Sequence, residues 1–464
     1  MTEFVRDGHM VDPNLHEVLA IMAARRVRQV YMKLLAPNDN SKNQPYFGGS
    51  FEALNIFPVS GEFTLHTPES RKADVASRGP GLKGPLDFAW LDGYGREYHA
   101  PYAKLILYPQ YPEVRFSGFL RSCEWAPSEL MDPAKRGRQQ GRILFLGVTG
   151  EGRILGYLAP PESAAAREAF ALACEPDCGV FRSIDLVEVR RGVADSRELL
   201  LTELGRISRK GWIDGKSLDV SGKIRPCRSS NCGGYTLEAE LGVTPNGYSE
   251  PDFYGWEVKQ HDVGDLDRPS ARAVTLMTPN PDRGHFVELT LPEFIRTYGY
   301  SDRRGRPDRL NFGGLHRFGQ RQPLTGLSLH LRGFDTAEPN TFAADGVLTL
   351  EDADGRVAAG WSFVKLLEHW KRKHNRAVFV PSVVRRADDG SRTYRYGSRV
   401  GLGLGTGFPL LLRAVANGAL YYDPGIKLEG ASLAVPKTKS RSQFRIKSTD
   451  LACLYHNWEE VDTP

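Results

Sequence analysis

No apolar stretch in this 464-residue sequence approaches the roughly 18–20 residues that a bilayer-spanning helix needs. The opening residues, MTEFVRDGHMVD, lack the apolar core of a secretory signal, so a cytoplasmic protein with no membrane partner is expected. Cysteine is scarce, six in all. Cys174 and Cys178, and Cys227 and Cys232, are spaced C-x3-C and C-x4-C, which misses the C-x2-C of zinc sites and leaves reduced thiols as the expectation. There is no Walker A motif. The glycine-rich VGLGLGTGF at 400–408 does not satisfy G-x-G-x-x-G and has no acidic ribose partner, which excludes a dinucleotide fingerprint. His369 and His374 stand five apart rather than four, so they do not make an H-E-x-x-H zinc helix. LLEHWKRKH is more simply an amphipathic helix with a wet face.

What is present is the composition of a globular protein, with 41% hydrophobic and 25% charged residues, on a chain long enough for two or three domains. The net charge of +5 is modest but unevenly placed. Residues 1–194 hold 23 Lys/Arg against 23 Asp/Glu, and residues 195–464 hold 38 against 33. Within the second part, 425–447 (GIKLEGASLAVPKTKSRSQFRIK) carries six basic residues and one acid. Arg303, Arg304, Arg306 and Arg309 form a second cluster. Basic patches of this kind neutralise phosphates, although a solvated charged face has the same composition.

Residues 14–34 read as a helix running into a strand, followed by the polar loop KLLAPNDNSKNQ. From about 45 to 158, short apolar or alternating runs broken by Gly and Pro predict many short strands, as in a barrel or sandwich. A helix opened by Pro160 and Pro161 marks a linker over 159–195. Beyond it, helices are predicted at 235–241, 291–298, 361–373 and 408–417. Strands are predicted at 253–260, 272–278, 326–333 and 346–350.

The chemistry concentrates in CGGYTLEAELGVTPNGYSEPDFYGWEVKQH, residues 232–261. Alternation along a strand places Glu257 and Lys259 on one face, with Asp252 entering from the preceding turn. Two carboxylates and an ammonium converging on one point suit a hard cation such as Mg²⁺, which takes oxygen ligands and can polarise a phosphoryl oxygen and acidify a bound water. As a bare pattern, P-D-x4-E-x-K also occurs on ordinary surface strands.

In context the segment resembles the catalytic core of the PD-(D/E)xK nucleases, and within them the MvaI/BcnI restriction endonucleases, relatives of the MutH mismatch-repair nickase. Lys210-Gly211-Trp212 precedes it as in that family. Glu238 in GYTLEAEL lies fourteen residues before Asp252, where the family carries a helical glutamate. AVTLMTPNPDRG and the closing QFRIKSTDLACLYH resemble family blocks, so the likeness runs over roughly 196–464. It implies that Asp252 and Glu257 bind Mg²⁺, that Lys259 is the catalytic lysine and that Glu238 is an auxiliary acid. Where relatives carry a base-reading His-x-His, this chain has TKSRSQ, so Lys437, Lys439, Arg441, Gln443 and Arg445 become the candidate DNA contacts, Arg suiting guanine and Lys phosphate.

The front of the chain resembles the B3-like pseudobarrel of EcoRII-type restriction enzymes. YMKLLAPNDNSKNQ is similar to its first DNA-contacting arm, and HAPYAKLILYPQYPEVRFSGFLRSC to the opposing one. That likeness implies contacts from Lys33, Asn38, Asn40, Lys42, Asn43 and Gln44, with Arg115 and Ser117.

The fold class expected is α+β: a B3-like β pseudobarrel over 1–158, a helical linker over 159–195, and a MutH-like α/β core with a mixed sheet over 196–464. The function implied is a Mg²⁺-dependent type II restriction endonuclease of a bacterium or archaeon. It would act on double-stranded DNA as a monomer or homodimer, leave 5′-phosphate ends, and be matched by a DNA methyltransferase for the same site. A modification-dependent or repair-type nickase, and a catalytically silent DNA-binding protein, are the alternatives.

Overall fold

The computed structural model describes the chain apart from residues 1–4, 7–8, 11, 38–43, 50–52, 67–79, 112, 172–175, 177–178, 187–195, 230, 244–252, 254, 268–270 and 371–375. The front half forms two main sheets. The first has the order Arg182–Asp185, Val27–Leu34, Ile143–Thr149, Ile154–Ala159, Phe88–Leu91, Glu97–His99. Its neighbours are antiparallel except for the Ile154 and Phe88 strands. ILFLGVT and ILGYLA are buried at every position because both faces of the sheet are covered. On one face lies the helix Leu15–Ala24, opened by a capping box between Asn14 and Glu17 and turning Leu15, Val18, Leu19 and Met22 inward. Helix Ala164–Ala171 packs with it.

The second sheet has the order Tyr46–Gly48, Glu113–Ser117, Lys104–Tyr108, Gly81–Pro85, Thr64–His66. An aromatic cluster joins the two sheets, with the Phe47 and Phe116 rings 5.1 Å apart and Phe88 and Phe116 5.0 Å apart. The strands expected from short alternating runs are therefore present as two facing sheets. The segment 159–195 is not only a linker. Its strand Arg182–Asp185 pairs with Val27–Leu34, from Arg182 opposite Met32 to Asp185 opposite Gln29, and so completes the front sheet.

The second half is organised by a mixed sheet. Arg376–Arg386 runs out and returns as Arg392–Tyr396 and Arg399–Leu404, and Asn457–Asp462 adds beside the latter. On the opposite edge Glu257–Asp262 lies parallel, with Glu257 beside Ala377 and Lys259 beside Phe379. One face of this sheet packs on helices Ser196–Arg209 and Cys232–Glu240 through Leu204, Ile207, Leu237, Val258, Val378 and Leu402. The other face joins the large core that runs on into the rest of the molecule. Four small sheets, with helices Leu291–Tyr298, Phe363–Trp370 and Phe408–Ala416 among them, fill out the described part of this half. No described helix is long and apolar enough to cross a membrane.

One expectation is corrected here. Cys227 and Cys232 are not free thiols: their Cα atoms lie 5.7 Å apart and they form a disulfide. Cys123 and Cys453 are free, while Cys174 and Cys178 lie outside the described residues, as does His374.

Candidate active site

The strand carrying the sequence's convergent charges is launched by a tight turn. Phe253 and Trp256 exchange backbone hydrogen bonds of 3.0 and 2.9 Å around Gly255, whose φ of +80° needs a residue without Cβ. This turn is why the strand begins at Glu257 and not at the expected residue 253. Alternation then sends Trp256 and Val258 into the helix-covered core, and Glu257 and Lys259 to the opposite face. Glu257 is only 3% exposed, and its Oε1 accepts a hydrogen bond from Lys259 Nζ at 2.7 Å. A buried carboxylate is tolerated when a cation compensates it, and Lys259 supplies that charge. Asp252 lies outside the described residues.

Glu238 is half-buried on helix Cys232–Glu240. That helix is pinned at several points. Tyr396 donates its hydroxyl to the Gly233 carbonyl at 2.7 Å, and Thr236 accepts from the Lys216 amide and donates to the Lys216 carbonyl. At Gly233 an added Cβ would come within 2.6 Å of the Gln260 side chain, so the helix packs closely against the Glu257 strand at this point. At the other end of the helix, Glu240 accepts from Lys210 at 2.6 Å and from Lys216. Lys210 belongs to the Lys-Gly-Trp motif. Its Gly211, with φ of +71°, ends the preceding helix, and Trp212 receives the Arg385 guanidinium on its ring at 3.8 Å.

Glu257 offers hard oxygen donors beside the Lys259 ammonium, which suits Mg²⁺ better than zinc, while Glu238 rides on the helix that packs against the other face of the strand. Among the described residues, no group of three or more His, Cys, Asp or Glu is placed to hold a metal ion. His261, two residues beyond Lys259 on the same strand face, is pushed by burial down to about 4 and is neutral at neutral pH. Burial, with the charge of Glu257 adding to it, raises the Tyr455 phenol well above its ordinary range. Nothing in the sequence singled out Tyr455 beyond its place in the closing block.

The candidate DNA contacts divide by environment. In the front half, Gln44 donates to Ser117 Oγ at 3.0 Å, so the structure joins the two proposed arms at that point. Arg115 pairs with Glu113 at 2.5 Å, and Lys33 is half-buried near the Phe181 ring, its ammonium destabilised by burial. Asn38, Asn40, Lys42 and Asn43 lie outside the described residues. In the second half, Lys437, Lys439 and Arg441 are exposed. Gln443 is buried, and Arg445 is held inside by Asp423 at 2.7 Å and the Ala273 carbonyl at 3.0 Å.

Two groupings escaped the sequence. The small sheet Tyr300–Ser301, Arg309–Gly313, Gly425–Glu429, Lys437–Lys439 unites the exposed Arg303–Arg306 hairpin with Lys427 and Lys439, which face each other in register. In the front half, Lys104 is pushed down by burial and then by Lys83 and Arg121. Strand pairing brings together the two basic runs that the sequence shows separately, 303–309 and 425–447, and it creates the Lys104 grouping, which no local spacing signals.

Residues 201–455, more than half of the chain, match the MvaI/BcnI restriction endonuclease family. No curated protein matches the chain. Among solved structures, the chain is similar to the restriction endonuclease MvaI in complex with its cognate DNA substrate, at 17% identity over 58% of this chain and 99% of that one, with a TM-score of 0.42. MvaI in the absence of DNA gives 15% identity over the same shares and a TM-score of 0.31.

Proposed function

The chain belongs to the MvaI/BcnI restriction endonuclease family, and from that premise we propose that it is a Mg²⁺-dependent type II enzyme hydrolysing double-stranded DNA at a short specific sequence. The observation that carries this reading is the buried Glu257 carboxylate held at 2.7 Å from Lys259 on one strand face. Asp252 and Glu257 would hold the cation, with Glu238 auxiliary to them. When bound, the cation lowers the pKa of a water and stabilises charge on the scissile phosphate. Lys259 orients the nucleophile and balances the charge that develops at phosphorus. In-line attack leaves a 5′-phosphate and a 3′-hydroxyl. The burial of Glu257 strengthens each of these interactions by excluding water.

Recognition belongs to the exposed basic surfaces. Lys437, Lys439 and Arg441 with the Arg303–Arg306 hairpin would grip the duplex from the nuclease half. The Gln44–Ser117 corner of the front half, read as a B3-like module, would meet DNA independently. A cell holding such an enzyme needs a methyltransferase for the same site.

The test is digestion of mixed genomic and plasmid DNA with Mg²⁺, beside Lys259→Ala and an EDTA control, with the ends sequenced. Discrete fragments that vanish in the variant are expected. Cleavage restricted to methylated DNA would replace this reading with a modification-dependent nuclease. Binding without cleavage of either substrate would refute the enzyme reading.

A further inference from the structure

The glycine-rich run at 400–408 has a function in the fold that bears on Glu257. Glu257, Ala377 and Gly403 lie side by side across three strands and present the same face. An added Cβ at Gly403 would approach the Tyr455 ring to 2.6 Å, so that ring lies directly on the sheet where no side chain lifts it. One row along, Gly401 does the same for Trp458, at 2.5 Å. Phe379, which neighbours Lys259 in register, closes the group, 6.0 Å from the Tyr455 ring and 5.6 Å from Trp458. Between Tyr455 and Glu257 the row holds only the methyl group of Ala377.

Tyr455 is 6% exposed, and its buried hydroxyl has no hydrogen-bond partner among the described residues. A phenylalanine would pack over Gly403 equally well without stranding a hydroxyl, and a buried orphan donor calls for a partner in some working state. The charge that acts on this phenol is that of Glu257. In the structure Lys259 neutralises Glu257. With a divalent cation held by Glu257, Lys259 would be free to face the phosphate, and the carboxylate would be oriented by a neutral donor instead.

We propose that Tyr455 is a positioning residue whose hydroxyl donates to the Glu257 carboxylate in the cation-loaded enzyme. This rests on the reading of Glu257 as a cation ligand. Hydrogen-bond partners behind a metal ligand typically change metal affinity or activity by about 10–100-fold.

The experiment compares the full-length protein with Tyr455→Phe and Glu257→Gln, using Mg²⁺ alone as the probe in calorimetry and supercoiled plasmid for cleavage. Tyr455→Phe is expected to keep the thermal midpoint of the cation-free protein and its DNA affinity, while Mg²⁺ binding weakens and cleavage slows by about tenfold. Wild-type Mg²⁺ affinity and wild-type cleavage in Tyr455→Phe, with Glu257→Gln inactive, would overturn this inference and leave the active-site reading intact. Glu257→Gln that still binds Mg²⁺ and cleaves would instead remove the reading on which it rests. If Tyr455→Phe does not fold, 3-fluorotyrosine placed at position 455 gives the answer. Its ¹⁹F resonance is expected to shift on Mg²⁺ addition in the otherwise unaltered protein and to stay fixed in Glu257→Gln; a resonance indifferent to Mg²⁺ in both overturns the proposal.

Discussion

Two carboxylates in the nuclease half are buried to the same degree, with side chains 4% exposed, yet they do opposite things. Glu240, at the end of its helix, is met by Lys210 and Lys216, with Arg206 at 3.7 Å. Burial raises its pKa, but the hydrogen bonds from Lys210 and then Lys216 outweigh burial and hold it below the ordinary glutamate range. Its charge is overcompensated, and a further cation has no reason to enter. Glu257 sits at the start of a strand, directly after the Phe253–Trp256 turn, and accepts a hydrogen bond from Lys259. Burial alone therefore does not mark a catalytic acid. On the proposed reading, what distinguishes the two is that the positive charge around Glu240 closes the site, whereas Glu257 would take a divalent ion.

The contrast can be broken by exchanging each carboxylate for its amide. Glu257→Gln is expected to lower plasmid cleavage by about a thousandfold or more, equivalent to about 4 kcal/mol of barrier, with the fold retained. Glu240→Gln should keep cleavage per folded molecule within about threefold. Equal losses in both variants would erase the distinction. The next effect is on stability. In denaturant, Glu240→Gln should lose about 1–3 kcal/mol, because charged hydrogen bonds go while the partial exposure of Lys210 and Lys216 softens the loss. The smallest effect is on pH dependence. A carboxyl depressed in the folded state contributes stability that is complete above its unfolded pKa of about 4.3 and disappears as pH falls through the lower folded value. Glu240→Gln should accordingly show a flatter acid limb below about pH 4, measurable as thermal midpoint against pH.

Much of the catalytic strand was legible because strand alternation and metal chemistry admit few residue types. Glu257 and Lys259 had to share a face, and they do. Leu291–Tyr298 has the ends expected of it, since Thr290 and Glu293 form a local capping box that needs no distant partner. What could not be read depends on distant partners. Arg182–Asp185 looked like linker because its hydrogen bonds go to Val27–Leu34, far upstream. Arg445 resembled a DNA contact because nothing in its neighbourhood of sequence announces Asp423 as its acceptor. The glycines at 401 and 403 could be excluded as a nucleotide loop, but their purpose appears only when Trp458 and Tyr455 arrive from the end of the chain.

That same completed front sheet carries a consequence for how the halves communicate. Ser183, on its last strand, accepts a 2.8 Å hydrogen bond from Arg376, and Arg376 opens the central strand one residue before the position that flanks Glu257. Gln29, on the next front strand, lies within 3.6 Å of where a side chain at Gly255 would begin. The front sheet is thus tied by the Arg376–Ser183 hydrogen bond to the strand beside Glu257, and its Gln29 lies close to the turn that precedes Glu257. On the proposed reading, a tilt of the front half would be felt at Glu257, so that gripping DNA with one half would act as a lever on cutting by the other.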